Sequence, residues 1–169
     1  LNKWVDISDG LEISQFYRLG LSKSNANRLV AGAQDNGTEM LTSGTWDAIR
    51  GADGMECIID PFDQDLIYSA SQYGGIKKSY NGGQNWDNIK PVNYEGAWVT
   101  PYEMHPQNNN LIVAGYNEVY LSKTSGAVWD SISFNVSNGQ SLRTIALAPS
   151  DENYIYAATY TLFKMSSDG

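Results

Sequence analysis

Four short segments of the chain share one pattern: Trp4-Val5-Asp6-Ile7, Trp46-Asp47-Ala48-Ile49, Trp86-Asp87-Asn88-Ile89 and Trp129-Asp130-Ser131-Ile132. Their tryptophans stand 42, 40 and 43 residues apart. Self-similarity at a fixed period means that each unit is one supersecondary element, unable to bury its apolar face without a neighbour. A period in the low forties fits a four-stranded β-propeller blade.

The rest of each unit aligns with this reading. A polar turn precedes a short apolar run in every copy. Asp60-Pro61-Phe62-Asp63-Gln64-Asp65 leads into Leu66-Ile67-Tyr68-Ser69-Ala70, and His105-Pro106-Gln107-Asn108-Asn109-Asn110 into Leu111-Ile112-Val113-Ala114-Gly115. Ala148-Pro149-Ser150-Asp151-Glu152-Asn153 leads into Tyr154-Ile155-Tyr156-Ala157-Ala158, and a looser turn, residues 22–28, into Leu29-Val30-Ala31-Gly32. Nearly continuous apolar runs predict strands buried on both faces. Helical periodicity is weak, so the expected class is all-β: four-stranded antiparallel blades, about four repeats, forming part of a larger propeller. The units fall at approximately 1–7 (the end of a blade), 8–49, 50–89, 90–132 and 133–169. The chain starts inside a Trp strand and stops inside a turn motif, as a partial propeller would, and its remaining blades are expected elsewhere in the same protein.

Composition narrows the function classes. The net charge of −8 and pI near 4.4 disfavour nucleic acid and anionic membranes, since no basic run offsets them. No apolar stretch approaches the roughly 20 residues that cross a bilayer, so no membrane insertion is expected. The opening residues lack the pattern of a signal peptide, so a secreted form would carry its signal upstream or have lost it. Cys57 is the single cysteine and His105 the single histidine. Cys57, within Cys57-Ile58-Ile59, reads as a small buried hydrophobe, with a Cys–His nucleophile as the alternative. No cofactor is expected.

With these residues in view, the chain resembles the Asp-box (BNR) repeat family, whose motif reads Ser-x-Asp-x-Gly-x-x-Trp. Ser79, Asn81, Gly83 and Trp86 match it with Asn for Asp; Ser122, Thr124, Gly126 and Trp129 match it with Thr for Asp. Ser166 and Asp168 begin a third copy, and Thr42-Ser43-Gly44-Thr45-Trp46 keeps only the Gly-x-Trp end. The polar side chain accepts backbone N–H groups, Gly supplies positive φ and Trp covers the turn. These residues are therefore structural. Residues 10–54 look like the sortilin-like or xyloglucanase-like propellers of large secreted bacterial proteins, many from Bacteroidetes and exported by type IX secretion with a C-terminal sorting domain. The resemblance implies an extracellular or cell-surface location.

Two carboxylates stand out as a candidate catalytic pair. Asp35, in Gln34-Asp35-Asn36-Gly37, and Asp53, in Gly51-Ala52-Asp53-Gly54, sit in loops beside strands, and glycosidases need two carboxyl groups at a set separation. Both sequences are also good turns in their own right. Tyr73, Tyr94, Trp98, Tyr102 and Tyr116 are candidate ligand-binding aromatics, with packing as the competing role. The carboxylates of residues 60–65 lack the spacing of a calcium loop, so no metal site is assigned. A sialidase would need an arginine cluster, and only Arg18, Arg28, Arg50 and Arg143 are present. The leading expectation is a non-catalytic module for adhesion or for binding a glycan or another surface protein. The alternative is an extracellular glycoside hydrolase acting on polysaccharide.

Overall fold

The computed structural model describes residues 3, 5–10 and 13–168. Trp4 of the first repeat and Gly169 of the last lie outside them. Among the described residues no helix is long and apolar enough to cross a membrane.

Among the described residues, fifteen strands form four antiparallel sheets, each a simple up-and-down meander. Strands β1 (Phe16–Leu21), β2 (Arg28–Ala33), β3 (Gly37–Thr42) and β4 (Thr45–Arg50) make the first. The second holds β5 (Gly54–Ile59), β6 (Ile67–Ser71), β7 (Gly75–Ser79) and β8 (Asp87–Asn88). The third holds β9 (Tyr102–His105), β10 (Asn108–Gly115), β11 (Val119–Ser122) and β12 (Asp130–Ser131). The fourth has three strands, β13 (Thr144–Leu147), β14 (Ile155–Ala158) and β15 (Phe163–Ser166).

The core lies between sheets. Val30, Cys57, Ile59 and Ile67, with Ile49 and Trp86, join the first two. Met55, Tyr68, Tyr102, Ile112 and Tyr116 join the second and third. Leu111, Val113, Leu142, Ile145 and Ile155 join the third and fourth. A strand sandwiched in this way must be apolar on both faces, and the second strands of the first three sheets are buried over consecutive residues. The fourth sheet departs from the sequence expectation. β14 alternates between buried and half-buried positions, and among the described residues it packs against the third sheet on one face.

The turns before the Trp strands of the second and third sheets are built by side-chain acceptors. Ser79 Oγ accepts from the Gly83 N–H at 2.8 Å, and Asn81 Oδ1 from the Asn85 N–H at 3.0 Å. Ser122 Oγ accepts from Gly126 at 2.9 Å, and Thr124 Oγ1 from Val128 at 2.8 Å. Gly83 (φ +90°) and Gly126 (φ +87°) occupy the left-handed region that suits glycine. The shorter first copy is a two-residue hairpin with Ser43 and Gly44 both at positive φ and Thr42 paired with Thr45.

Trp86 and Trp129 then tie the second and third sheets each to the one before it. Trp86 Nε1 donates to the Ile49 carbonyl at 3.0 Å, and Trp129 Nε1 to the Ile89 carbonyl at 2.8 Å. Those isoleucines also pack beneath the turn glycines: a Cβ on Gly83 would meet Ile49 Cδ1 at 2.9 Å, and one on Gly126 would meet Ile89 Cδ1 at 2.7 Å. Arg50 crosses the first seam, donating from Nη1 to Ser69 O and from Nη2 to Gly75 O. Asn109 Nδ2 crosses the second, donating to Asp60 Oδ2 at 2.8 Å.

Candidate ligand-binding rim

In an up-and-down meander, the connections from second to third strand and from last strand to next sheet emerge at the same end. This end gathers residues 34–36, 51–53, 72–74, 89–101 and 116–118. It therefore holds Asp35, Asp53, Tyr73, Tyr94, Trp98 and Tyr116.

Asp35 and Asp53 meet, but through backbone. Asp53 Oδ1 accepts the Asp35 N–H at 2.9 Å, and the Asp53 N–H donates to Gln72 Oε1 at 3.3 Å. The contact holds Asp35 at φ +59° in the turn between β2 and β3. Asp35 is exposed and Asp53 half-buried. Ile13, Ser14, Gln15, Gln34, Asp35 and Asn36 line a recess of about 300 Å³ beside them.

The aromatics divide by exposure. Tyr73 (39% exposed) and Trp98 (36%) form an edge-to-face pair with ring centroids 5.1 Å apart. Two backbone bonds hold that pair: the Tyr73 N–H donates to Trp98 O and the Gly96 N–H to Tyr73 O, each at 3.2 Å. Tyr73 sits at φ +59°, a conformation uncommon for a bulky residue and found where surroundings over-determine it. Trp98 Nε1 donates to Tyr17 Oη at 3.1 Å, and Tyr17 in turn donates to Gln34 Oε1 at 2.8 Å. The Trp98 ring is thus linked to the loop carrying Asp35. Tyr94 is also exposed, but its hydroxyl is engaged with Asn117 and Tyr120.

Tyr102 and Tyr116 are placed differently from the sequence expectation of ligand-binding aromatics. Tyr102 is 4% exposed and donates to Glu56 O, while Tyr116 is fully buried and donates to Gly74 O. Both belong to the packing between the second and third sheets. Burial raises both phenol pKa values.

Cys57 is 2% exposed and burial pushes its thiol up to about 12, so a thiolate nucleophile is not formed at neutral pH. The carboxylates of residues 60–65 serve the turn: Asp60 Oδ1 accepts from Phe62 and Asp63, and Asp63 Oδ1 from Asp65.

The sequence reading did not single out a second constellation, on the first strands of successive sheets. Arg18 Nε lies 3.3 Å from Glu56 Oε2, and Glu103 Oε2 accepts the Leu147 N–H at 3.1 Å. Arg18, Glu56, Tyr102, Glu103, Arg143 and Thr144 line one cavity of about 210 Å³. Burial raises both the Glu56 and Glu103 carboxyls, Glu56 in spite of Arg18. The available signal was a charged residue inside an otherwise apolar first strand.

No protein-family model matches the sequence. No curated protein matches it either. Solved structures do resemble it. An ancestral GH74 enzyme superposes with a TM-score of 0.74 at 16% identity, covering 91% of this chain and 23% of that one. The GH74 xyloglucanase from Xanthomonas campestris gives 0.74 at 14% identity, covering 92% and 29%. The Niastella koreensis GH74 enzyme gives 0.66 at 16% identity, covering 92% and 28%. The chain is a run of β-propeller blades. It spans about a quarter of the length of these structures, and at such identities the likeness is one of fold. The four sheets are therefore blades, and the rim is a loop-bearing end of the propeller.

Proposed function

We propose that the chain is a non-catalytic ligand-binding part of a larger propeller, displayed outside a bacterial cell, and that its rim binds a glycan. The observation that carries this reading is the exposed Tyr73–Trp98 pair, fixed by backbone bonds and linked through Tyr17 to Gln34. Sugars stack on such ring faces and exchange hydrogen bonds with neighbouring amides and carboxylates, here Gln34, Asn36 and Asp35. A pre-formed aromatic surface costs little to order on binding. The Ser79 and Ser122 turns support membership of the Asp-box class, whose propellers are often secreted. Affinity electrophoresis of the chain in gels containing soluble β-glucans or host glycans tests the reading. Retardation lost in Trp98→Ala, with the urea midpoint kept, supports it; no retardation by any glycan refutes it.

A second reading, glycoside hydrolysis, draws on the GH74 enzymes among the structural neighbours and on the Asp35–Asp53 contact. In its favour, the two residues share one loop cluster next to an open recess. Against it, Asp53 is committed to a turn hydrogen bond. Release of reducing ends from xyloglucan, abolished by Asp35→Asn with the fold intact, would establish this reading over the first.

A further inference from the structure

The first strands β1, β5, β9 and β13 stack in order. Each contributes to the cavity of about 210 Å³: Arg18, Glu56, Glu103 and Thr144, with Arg143 just before β13. Propeller blades surround a central channel, and these stacked strands line it. The lining is drawn from all four blades, so the cavity belongs to the interior of the array.

Its charges are only half paired. Arg18 Nε lies 3.3 Å from Glu56 Oε2, and Arg18 Nη1 donates to Tyr17 O at 3.0 Å. Glu103 and Arg143 share the cavity, yet among the described residues neither forms an ion pair. Glu103 Oε2 accepts one backbone N–H, that of Leu147, and Oε1 accepts none among the described residues. Arg143 lays its guanidinium over the Tyr160 ring, with Cζ 4.5 Å from the centroid. A guanidinium stacked in this way keeps its N–H donors in its own plane, where they can fork a carboxylate.

An unpaired carboxylate and an unpaired guanidinium on one cavity suit a molecule that carries both an ammonium and a carboxylate. The neighbouring Glu56 favours the ammonium further. Burial raises both glutamates, and the charge of Glu103 adds to the rise at Glu56. A cation beside them offsets that cost. Volume bounds the ligand, since pockets for drug-sized molecules run to roughly 300–1,000 Å³. A second cavity of about 240 Å³ shares Glu56 and Glu103 with the first and adds Leu19, Leu21, Ile58 and Met104 to its lining. Apolar side chains thus adjoin the charged groups, and an aliphatic tail has a place beside them.

We propose that this axial cavity binds a free α-amino acid with an aliphatic side chain. Its ammonium meets Glu103, its carboxylate meets Arg143, and its side chain runs toward Leu19, Leu21 and Ile58. The site is separate from the Tyr73–Trp98 pair, and the inference does not rest on the glycan reading.

The test is an NMR titration of the 169-residue chain at neutral pH with L-leucine, glycine, isopentylamine and 4-methylpentanoate. The amine is leucine without its carboxylate, and the acid is leucine without its ammonium. L-leucine should shift amide signals of β5, β9 and residues 143–144. It should bind about tenfold more tightly than the amine or the acid, each of which lacks one charged contact. Glycine, with no aliphatic tail, should also bind more weakly. Glu103→Gln keeps an acceptor for the Leu147 N–H and should remove the advantage of L-leucine over 4-methylpentanoate. Arg143→Gln should remove its advantage over isopentylamine. Each variant erases one preference and spares the other, which misfolding would not do. No response of the parent chain to L-leucine, isopentylamine or glycine binding as tightly as L-leucine, or both preferences surviving either substitution would each overturn the proposal.

Discussion

Trp129 donates its indole N–H to the carbonyl of Ile89, a residue of the preceding blade, while Ile89 packs beneath Gly126 of the turn that positions Trp129. One isoleucine therefore anchors the following blade by its backbone and its side chain at once. Removing only the hydrogen bond, as in Trp129→Phe, should cost about 1 kcal/mol, and removing the ring, as in Trp129→Ala, about 3 kcal/mol. Urea unfolding measures both. The equivalent Trp46→Phe should change stability by less than about 0.5 kcal/mol, because Trp46 makes no indole hydrogen bond among the described residues.

Gly126→Ala should be more damaging than its size suggests. The backbone there is at φ +87° and the new methyl would press on Ile89 Cδ1 at 2.7 Å. A loss of about 2 kcal/mol or more is expected in thermal or urea unfolding. Gly44→Ala should lose only the backbone part, since its side faces open space.

Thr124→Asp should strengthen its turn. Thr124 Oγ1 already accepts the Val128 N–H at 2.8 Å, and a carboxylate is a stronger acceptor. A gain of about 0.5 kcal/mol is expected at neutral pH, disappearing as the pH falls below the carboxylate range. Ser122→Ala, which strips the acceptor from the Gly126 N–H, should cost about 1 to 2 kcal/mol.

Glu103 gives a pH signature of opposite sign to an ion-paired carboxylate. Burial raises its pKa in the folded chain above the ordinary value of 4.5, so the native state holds its proton more tightly than the unfolded one. Its stabilising contribution is full below the unfolded value and is lost as pH rises through the folded one. Glu103→Gln keeps an oxygen for the Leu147 N–H and removes the titration. The variant's melting temperature relative to the parent should therefore rise between pH 4 and pH 7. A difference that stays constant with pH would refute this account.

What the sequence disclosed differs between scaffold and rim. Trp86 and Trp129 were legible as blade residues because period and chemistry repeat together. Asn81 and Thr124 could stand for Asp because the turn needs only an oxygen acceptor. The rim was less legible. Tyr102 and Tyr73 are both tyrosines beside a connection, yet one is 4% and the other 39% exposed. The difference is set by which neighbouring blade covers each ring, a long-range fact absent from local sequence. Likewise Glu56 and Glu103 lie far apart in the chain, and only stacking of first strands places them on one cavity.

The tie between Trp129 and Ile89 reaches one unit back and no further, as does that between Trp86 and Ile49. At these tryptophan seams the contacts are those of a linear array, each made with the adjacent unit, whereas the Trp98–Tyr17 bond at the rim spans two. Duplication or loss of a whole unit then leaves every surviving seam chemically unchanged. Copying of a unit can therefore change the number of blades, whereas the rim loops, bonded across units through Tyr116–Gly74 and Trp98–Tyr17, change together.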